Sequence, residues 1–113
     1  MKKIFYKIKS VFNRTCNNEL NYTELKELIK NKNKVNLIDV RSNQEYNEGH
    51  IIDAINLPIY NLEKTIKYNV VNKDEIIILY CQSDVRSKKG KKILEKMGYI
   101  NVYYLKGGID GIM

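Results

Sequence analysis

The stretch Ile76-Ile77-Ile78-Leu79-Tyr80, running directly into Cys81-Gln82-Ser83-Asp84-Val85-Arg86-Ser87, decides the fold. Five consecutive apolar residues, mostly β-branched, leave neither face of a strand for water. This strand is therefore expected inside a sheet covered on both sides. The polar residues after it lead into a lysine-rich helix over Ser87–Met97, closed by Gly98 where a left-handed residue ends helices. A strand that feeds a helix through a short loop is the repeating unit of a parallel sheet.

Working toward the N-terminus, Val35–Val40 reads as a second buried strand. Ser42-Asn43-Gln44-Glu45 has the spacing of a capping box and should open a short helix that ends at Gly49. Ala54–Leu57 is a short apolar run halted by Pro58, and Asn61 is the expected cap of a helix reaching about Tyr68. Further back, Thr23 is expected to cap a helix through about Asn31, with Leu25, Leu28 and Ile29 on one face. Toward the C-terminus, Asn101–Leu105 forms a last strand before Gly107-Gly108. These elements predict an α/β fold with a central parallel sheet flanked by helices on both faces. In such sheets the working crevice lies outside the carboxyl ends of the strands. Two polar clusters fall there, Asp39-Val40-Arg41 and the loop that begins at Cys81.

The chain has 113 residues, room for one core and no second domain. Residues 1–18 read as a basic amphipathic extension, and 19–113 as the domain. In the extension Ile4, Phe5, Ile8, Val11 and Phe12 share one helical face among lysines, which suits packing on the domain or on a second copy, or contact with a membrane surface. Equal partitioning onto liposomes with and without residues 1–18 would exclude the membrane role.

The net charge is +7, and five basic residues precede Glu19, so the remainder holds 15 basic against 13 acidic residues. A second basic cluster spans Arg86 to Lys92 without interleaved aromatics, which argues against nucleic acid as the partner. Lysine, asparagine and isoleucine are abundant throughout, so most of these charges read as a solvated surface. The two cysteines, Cys16 and Cys81, form no CxxC pair and offer neither a disulfide framework nor a zinc ligand set. Lys7 and Lys9 interrupt the apolar stretch a signal peptide needs, and no run approaches the roughly 18 residues that span a bilayer. The cytoplasm is the expected compartment, with membrane association through residues 1–18 as the alternative.

Cys81 stands where chemistry is easiest to build. Backbone N–H groups of a strand-to-helix loop can turn inward to form an anion cup, and the helix start adds partial positive charge. That field favours the thiolate. Gln82, Ser83, Asp84, Val85, Arg86 and Ser87 would line the cup, with Arg86 offering a planar fork for oxyanions. A lone cysteine after an apolar strand is equally compatible with a small buried hydrophobe.

At this point the sequence resembles the rhodanese family over about residues 22–109. Asn36-Leu37-Ile38-Asp39-Val40-Arg41 is similar to its LIDVR motif, and Glu45-Tyr46 with Gly49-His50-Ile51 to EY…GHI. Ala54-Ile55-Asn56-Leu57-Pro58 resembles AINIP, and Tyr80-Cys81 with Arg86-Ser87 resembles the YC…RS active-site loop. Gly98-Tyr99, Asn101-Val102 and Leu105-Lys106-Gly107-Gly108 follow its ending. The resemblance implies a sulfurtransferase that carries sulfane sulfur as a persulfide on Cys81. The implied partners are a small anionic donor such as thiosulfate or a persulfide, a thiol or cyanide acceptor, and a sulfur-relay protein. It implies no metal and no organic cofactor. It also implies that Asp39, Glu45 and His50 tie loops together rather than catalyse, with Arg41 able to reach the crevice. A non-catalytic partner-binding module of the same family is the alternative.

Four residues separate Cys81 from Arg86, whereas the related phosphatases and arsenate reductases place five there, so the narrower loop favours sulfur. Two positions depart from the family. Asp84 replaces a common glycine, is among the few other residues that tolerate a left-handed backbone, and puts a carboxylate near the cup. Its replacement by glycine is therefore expected to raise thiosulfate turnover. No tryptophan follows Gly107-Gly108, so the last helix is expected short or frayed. Cys16 reads as an incidental thiol.

Overall fold

The computed structural model describes residues 18–31 and 34–112. The amphipathic helix expected before residue 18, and Cys16 within it, lie outside the described residues.

Five parallel strands form one sheet in the order β1-β5-β4-β2-β3. They are β1 (Glu19–Leu20), β2 (Asn36–Asp39), β3 (Ile55–Asn56), β4 (Ile77–Tyr80) and β5 (Val102–Leu105). The helices are α1 (Tyr22–Lys30), α2 (Asn43–Glu48), α3 (Leu62–Asn69) and α4 (Val85–Lys96). All four residues of β4 are buried, as its apolar sequence requires at the centre of a covered sheet.

Alternation along β4 sends neighbouring side chains into two cores. Ile77, Leu79 and, one step beyond the strand, Cys81 join Leu62 and Ile66 of α3 and Leu94 of α4. Ile78 and Tyr80 join Leu25 and Leu28 of α1 on the opposite face. Gly90 lets α4 approach the sheet, because a Cβ there would stand 3.0 Å from Leu79 and 3.2 Å from Leu62.

Several local expectations are corrected. Asn21, not Thr23, caps α1: its side chain accepts the Glu24 N–H while Glu24 accepts the Asn21 N–H. Ile29 is 42% exposed rather than part of the buried face, which Leu25 and Leu28 alone supply. Asn61 makes no side-chain cap, since a 3-10 turn over Ile59–Asn61 precedes α3 and already orders that entry. Helix α4 begins at Val85, two residues before its lysine-rich pattern becomes visible. Strand β1 escapes pattern reading because two residues cannot show a period, and only pairing with Tyr104 and Leu105 defines it.

The Ser42–Glu45 capping box forms as expected and α2 ends at Gly49. After β5, residues 106–112 make turns rather than a helix, with Ile109 and Ile112 half-buried against the α1-side core. No helix among the described residues is long and apolar enough to cross a membrane.

Candidate active site

The carboxyl ends of β2 and β4 lie side by side, with Asp39 in register with Tyr80. This brings the Arg41 and Cys81 loops together. Cys81 is buried, with its Sγ over the first turn of α4. The Ser87 N–H donates to Sγ at 3.4 Å, and the thiol faces the Ser87 Oγ at 3.6 Å. The Ser87 hydroxyl in turn donates to the Asp84 carbonyl at 3.0 Å. A first-turn amide has no carbonyl in its own helix to serve, so donating to sulfur satisfies it and holds negative charge there.

The C-terminal turn shapes the loop from below. Ile109 and Asp110 donate their N–H groups to the carbonyls of Cys81 and Gln82, at 3.1 and 3.0 Å. Gly108, at φ +56°, sits beneath three loop carbonyls. A Cβ there would stand 2.6 Å from the Ser83 oxygen, 2.7 Å from that of Gln82, and closer still to that of Cys81. A trans peptide directs its N–H opposite to its C=O. With the carbonyls of 81–83 turned onto Gly108, the N–H groups of Gln82, Ser83 and Asp84 point to the other side. Gly108→Ala is thus expected to displace the loop and reduce thiosulfate turnover at least about tenfold. A steady-state assay beside a thermal melt checks this, and an unchanged rate would show that the loop tolerates the shift.

Arg41 is held from several sides. Its guanidinium and N–H donate to Asp39 at 2.8 to 3.1 Å, and further bonds reach the Gly49 carbonyl at 2.6 Å and Gln82 Oε1 at 3.4 Å. Burial pulls the Arg41 pKa down, but Asp39 outweighs it and the net shift is upward. The Gln82 side chain also donates to Asp110 at 2.6 Å, which continues the chain of bonds to the C-terminal turn. Arg41 therefore touches the loop through Gln82 while its charge is matched by Asp39.

Arg86 does not present a free fork. It makes a bidentate pair with Glu45 at 2.7 and 3.0 Å, which joins the start of α4 to the start of α2. The Arg86 bond, above all, lowers the Glu45 pKa from 4.5 to about 2. A depressed carboxylate contributes stability above its unfolded pKa and loses it as pH falls through its folded one. Stability should therefore decline between pH 4.5 and 2, by roughly 1 kcal/mol after solvent screening of this partly exposed pair. Glu45→Gln should flatten that part of an acid denaturation profile.

Asp84 has no use for a left-handed backbone, and its carboxylate is engaged outside the cup. Its φ of −137° is not left-handed, so nothing in the backbone demands glycine. Its carboxylate accepts the Gly107 N–H at 2.8 Å and ties the loop to the C-terminal turn. Replacement by glycine would remove the charge and this tie together. Asp84→Asn keeps an acceptor while removing the charge, and is expected to raise thiosulfate turnover about two- to fivefold. A fall in rate with asparagine would show that the charge itself is needed.

Ser83 and Val85 are exposed at the loop rim. His50 lies outside the cup, where its Nδ1 is 2.8 Å from the Tyr46 carbonyl and its ring stacks on Tyr46. Tyr80, whose pKa burial pushes up, accepts the Ile51 N–H at 3.0 Å. Beside the loop lies an open cleft of about 600 Å³, whose lining includes Arg41, Glu45, His50, Gln82, Ile109 and Ile112. No group of three or more His, Cys, Asp or Glu among the described residues is placed to hold a metal.

The structure places the Arg41 side chain against the Cys81–Ser87 loop, through Gln82. The Arg86–Glu45 clamp, the Gln82–Asp110 bond and the place of Gly108 were not legible in the sequence. The paired glycines were the one available signal for the last.

Known proteins share this fold. The family model of the rhodanese-like domain matches residues 21–113. A sulfurtransferase of Allochromatium vinosum is 33% identical over 92 residues, covering 81% of this chain and 84% of the relative. The YqhL protein of Bacillus subtilis is 41% identical over 75 residues, or 66% of this chain. The chain spans 58% of the length of that relative and 30% of a similar tRNA uridine(34) hydroxylase from Buchnera aphidicola. Among solved structures, a rhodanese from Escherichia coli solved with anions superposes with a TM-score of 0.64 at 32% identity. It covers 69% of this chain and 91% of its own.

Proposed function

Because the chain belongs to the rhodanese-like domain family, we propose that it transfers sulfane sulfur through a persulfide on Cys81. The Cys81 thiolate attacks the outer sulfur of thiosulfate, or of a small persulfide donor. The donor S–S bond breaks and its electron pair leaves with sulfite, or with the donor thiolate. A thiolate or cyanide then attacks the outer sulfur on Cys81 and releases the Cys81 thiolate for another cycle.

One observation carries this reading: Sγ receives the Ser87 N–H at the floor of a loop whose carbonyls are turned away onto Gly108. The N–H groups of Gln82 to Arg86, together with the α4 start, would hold the donor's anionic oxygens. Ser87 steadies the sulfur. In this reading Arg41 acts through Gln82, and Arg86 sets the loop through its pair with Glu45. The side chains of Ser83, Asp84 and Val85 shape the rim. No cofactor has a step to perform.

Intact mass after thiosulfate treatment tests the proposal. A gain of about 32 Da that cyanide removes, and that Cys81→Ser never acquires, is the expected result. Absence of the adduct from the wild type, or phosphate-ester hydrolysis without sulfur transfer, would overturn it.

A further inference from the structure

Helix α4 carries a line of side chains that its own stability does not call for. Val85, Lys88, Lys89, Lys92 and Lys96 are all exposed, and their spacing of 3, 4, 7 and 11 from Val85 places them on one helical face. The stripe runs about 16 Å from the loop that holds Cys81. Val85, the first helical residue, is 78% exposed and stands four positions after Cys81.

Among the described residues none of these four lysines forms an ion pair, although Lys88 reaches over the Tyr104 ring at 5.6 Å. Lys88 with Lys92, and Lys92 with Lys96, are like charges four residues apart, which weaken a helix by a few tenths of a kcal/mol each. Lys88 and Lys89 also crowd the positive end of the helix dipole.

Lysine-rich composition alone does not explain this pattern. Helices α1, α2 and α3 each carry an acidic residue in their first turn, namely Glu24, Glu45 and Glu63. Helix α4 has none. Among the described helices the imbalance is confined to the one that starts four residues after the proposed nucleophile.

We infer that this stripe docks an acidic protein that presents a cysteine to Cys81 and takes the sulfur from it. The inference rests on the persulfide reading. Carboxylates of the partner would meet Lys88, Lys89, Lys92 and Lys96, and an apolar side chain would cover Val85. The partner thiolate attacks the outer sulfur of the Cys81 persulfide, the Cys81–sulfur bond breaks, and the persulfide reappears on the partner. A protein fits better than nucleic acid, because α4 has no aromatic residue on which a base could stack and an apolar residue leads the stripe. Four lysines on one face give charge complementarity that speeds encounter and weakens with salt.

The test uses three synthetic peptides, each with a single cysteine flanked by glutamates, glutamines or lysines. The full-length chain is first loaded with thiosulfate, and loading is verified by intact mass. Failure to load refutes the persulfide reading, while anisotropy of the labelled peptides still tests docking. With loaded protein at low salt, the acidic peptide should accept sulfur at least about tenfold faster, relative to the neutral one, than the basic peptide does. In the K88Q/K89Q/K92Q/K96Q variant that advantage should fall at least about fivefold. It should hold within about twofold in K26Q/K30Q/K64Q/K67Q, which removes the same net charge from α1 and α3. Transfer to 2-mercaptoethanol should differ by less than about twofold among the three proteins. An acidic preference that is absent, or equal in the two variants, overturns the inference. So does tighter, stripe-dependent binding of a single-stranded oligonucleotide than of the acidic peptide.

Discussion

Replacing Cys81 by serine is expected to lower thiosulfate-to-cyanide sulfur transfer at least about 10³-fold, roughly 4 kcal/mol in the barrier. Serine matches the shape of cysteine but its hydroxyl is a far weaker nucleophile near neutral pH, and no persulfide can form on oxygen. The loss should be chemical rather than structural. Cys81 is buried among Leu79, Leu94 and Val102, and a hydroxyl there can still accept the Ser87 N–H. Thermal melts of the two proteins should therefore differ by only a few degrees. Comparable turnover in the serine variant would place the chemistry elsewhere. A melting point lowered by tens of degrees would mean that the sulfur is chiefly a packing group.

Removing the partner of Arg41 is expected to have the largest effect on stability. Asp39 is fully buried and the Arg41 side chain is 5% exposed, with bonds at 2.8 to 3.1 Å between them. Asp39→Ala leaves an uncompensated buried guanidinium and should cost about 3–5 kcal/mol, measured by urea denaturation. The bonds from Arg41 to the Gly49 carbonyl and to Gln82 do not neutralise its charge. Asp39→Ala combined with Arg41→Met should recover part of the loss, because the unpaired charge is then gone. If the double variant is no more stable than the single, the Asp39 hydrogen bonds and not the charge balance hold this corner. The single variant should also impair sulfur transfer, since Arg41 leans on the Cys81 loop through Gln82.

The sheet was legible because its strongest signals are local. An apolar run such as Ile76–Tyr80 has one stable place in a covered sheet, and Ser42 with Glu45 caps a helix within four residues. Local sequence misleads where several local solutions compete. Asn21 and Thr23 both suit an N-cap, and the chain takes Asn21 because Glu24 completes a reciprocal box with it. Asn61 is a residue type that suits a cap, but the preceding 3-10 turn removes the need for one. For β1 there was no local signal, since its two residues become a strand only beside β5.

At the candidate site the division runs between identity and aim. The sequence alone determined that a cysteine leads from a buried strand into a helix, with an arginine five residues on and paired glycines near the end. These are facts of order along one chain, and strand-to-helix periodicity is enough to read them. Only the tertiary structure decided where the groups point. Glu45, 41 residues away, takes the fork of Arg86, and Gly107 takes the carboxylate of Asp84. Gly108 packs under the carbonyls that fix which way the loop amides face. Such aims come from contacts distant in sequence, and no local propensity encodes them. The physical reason is that a hydrogen-bonding group takes the partner that the packed sheet brings within about 3 Å, whatever its place in the chain.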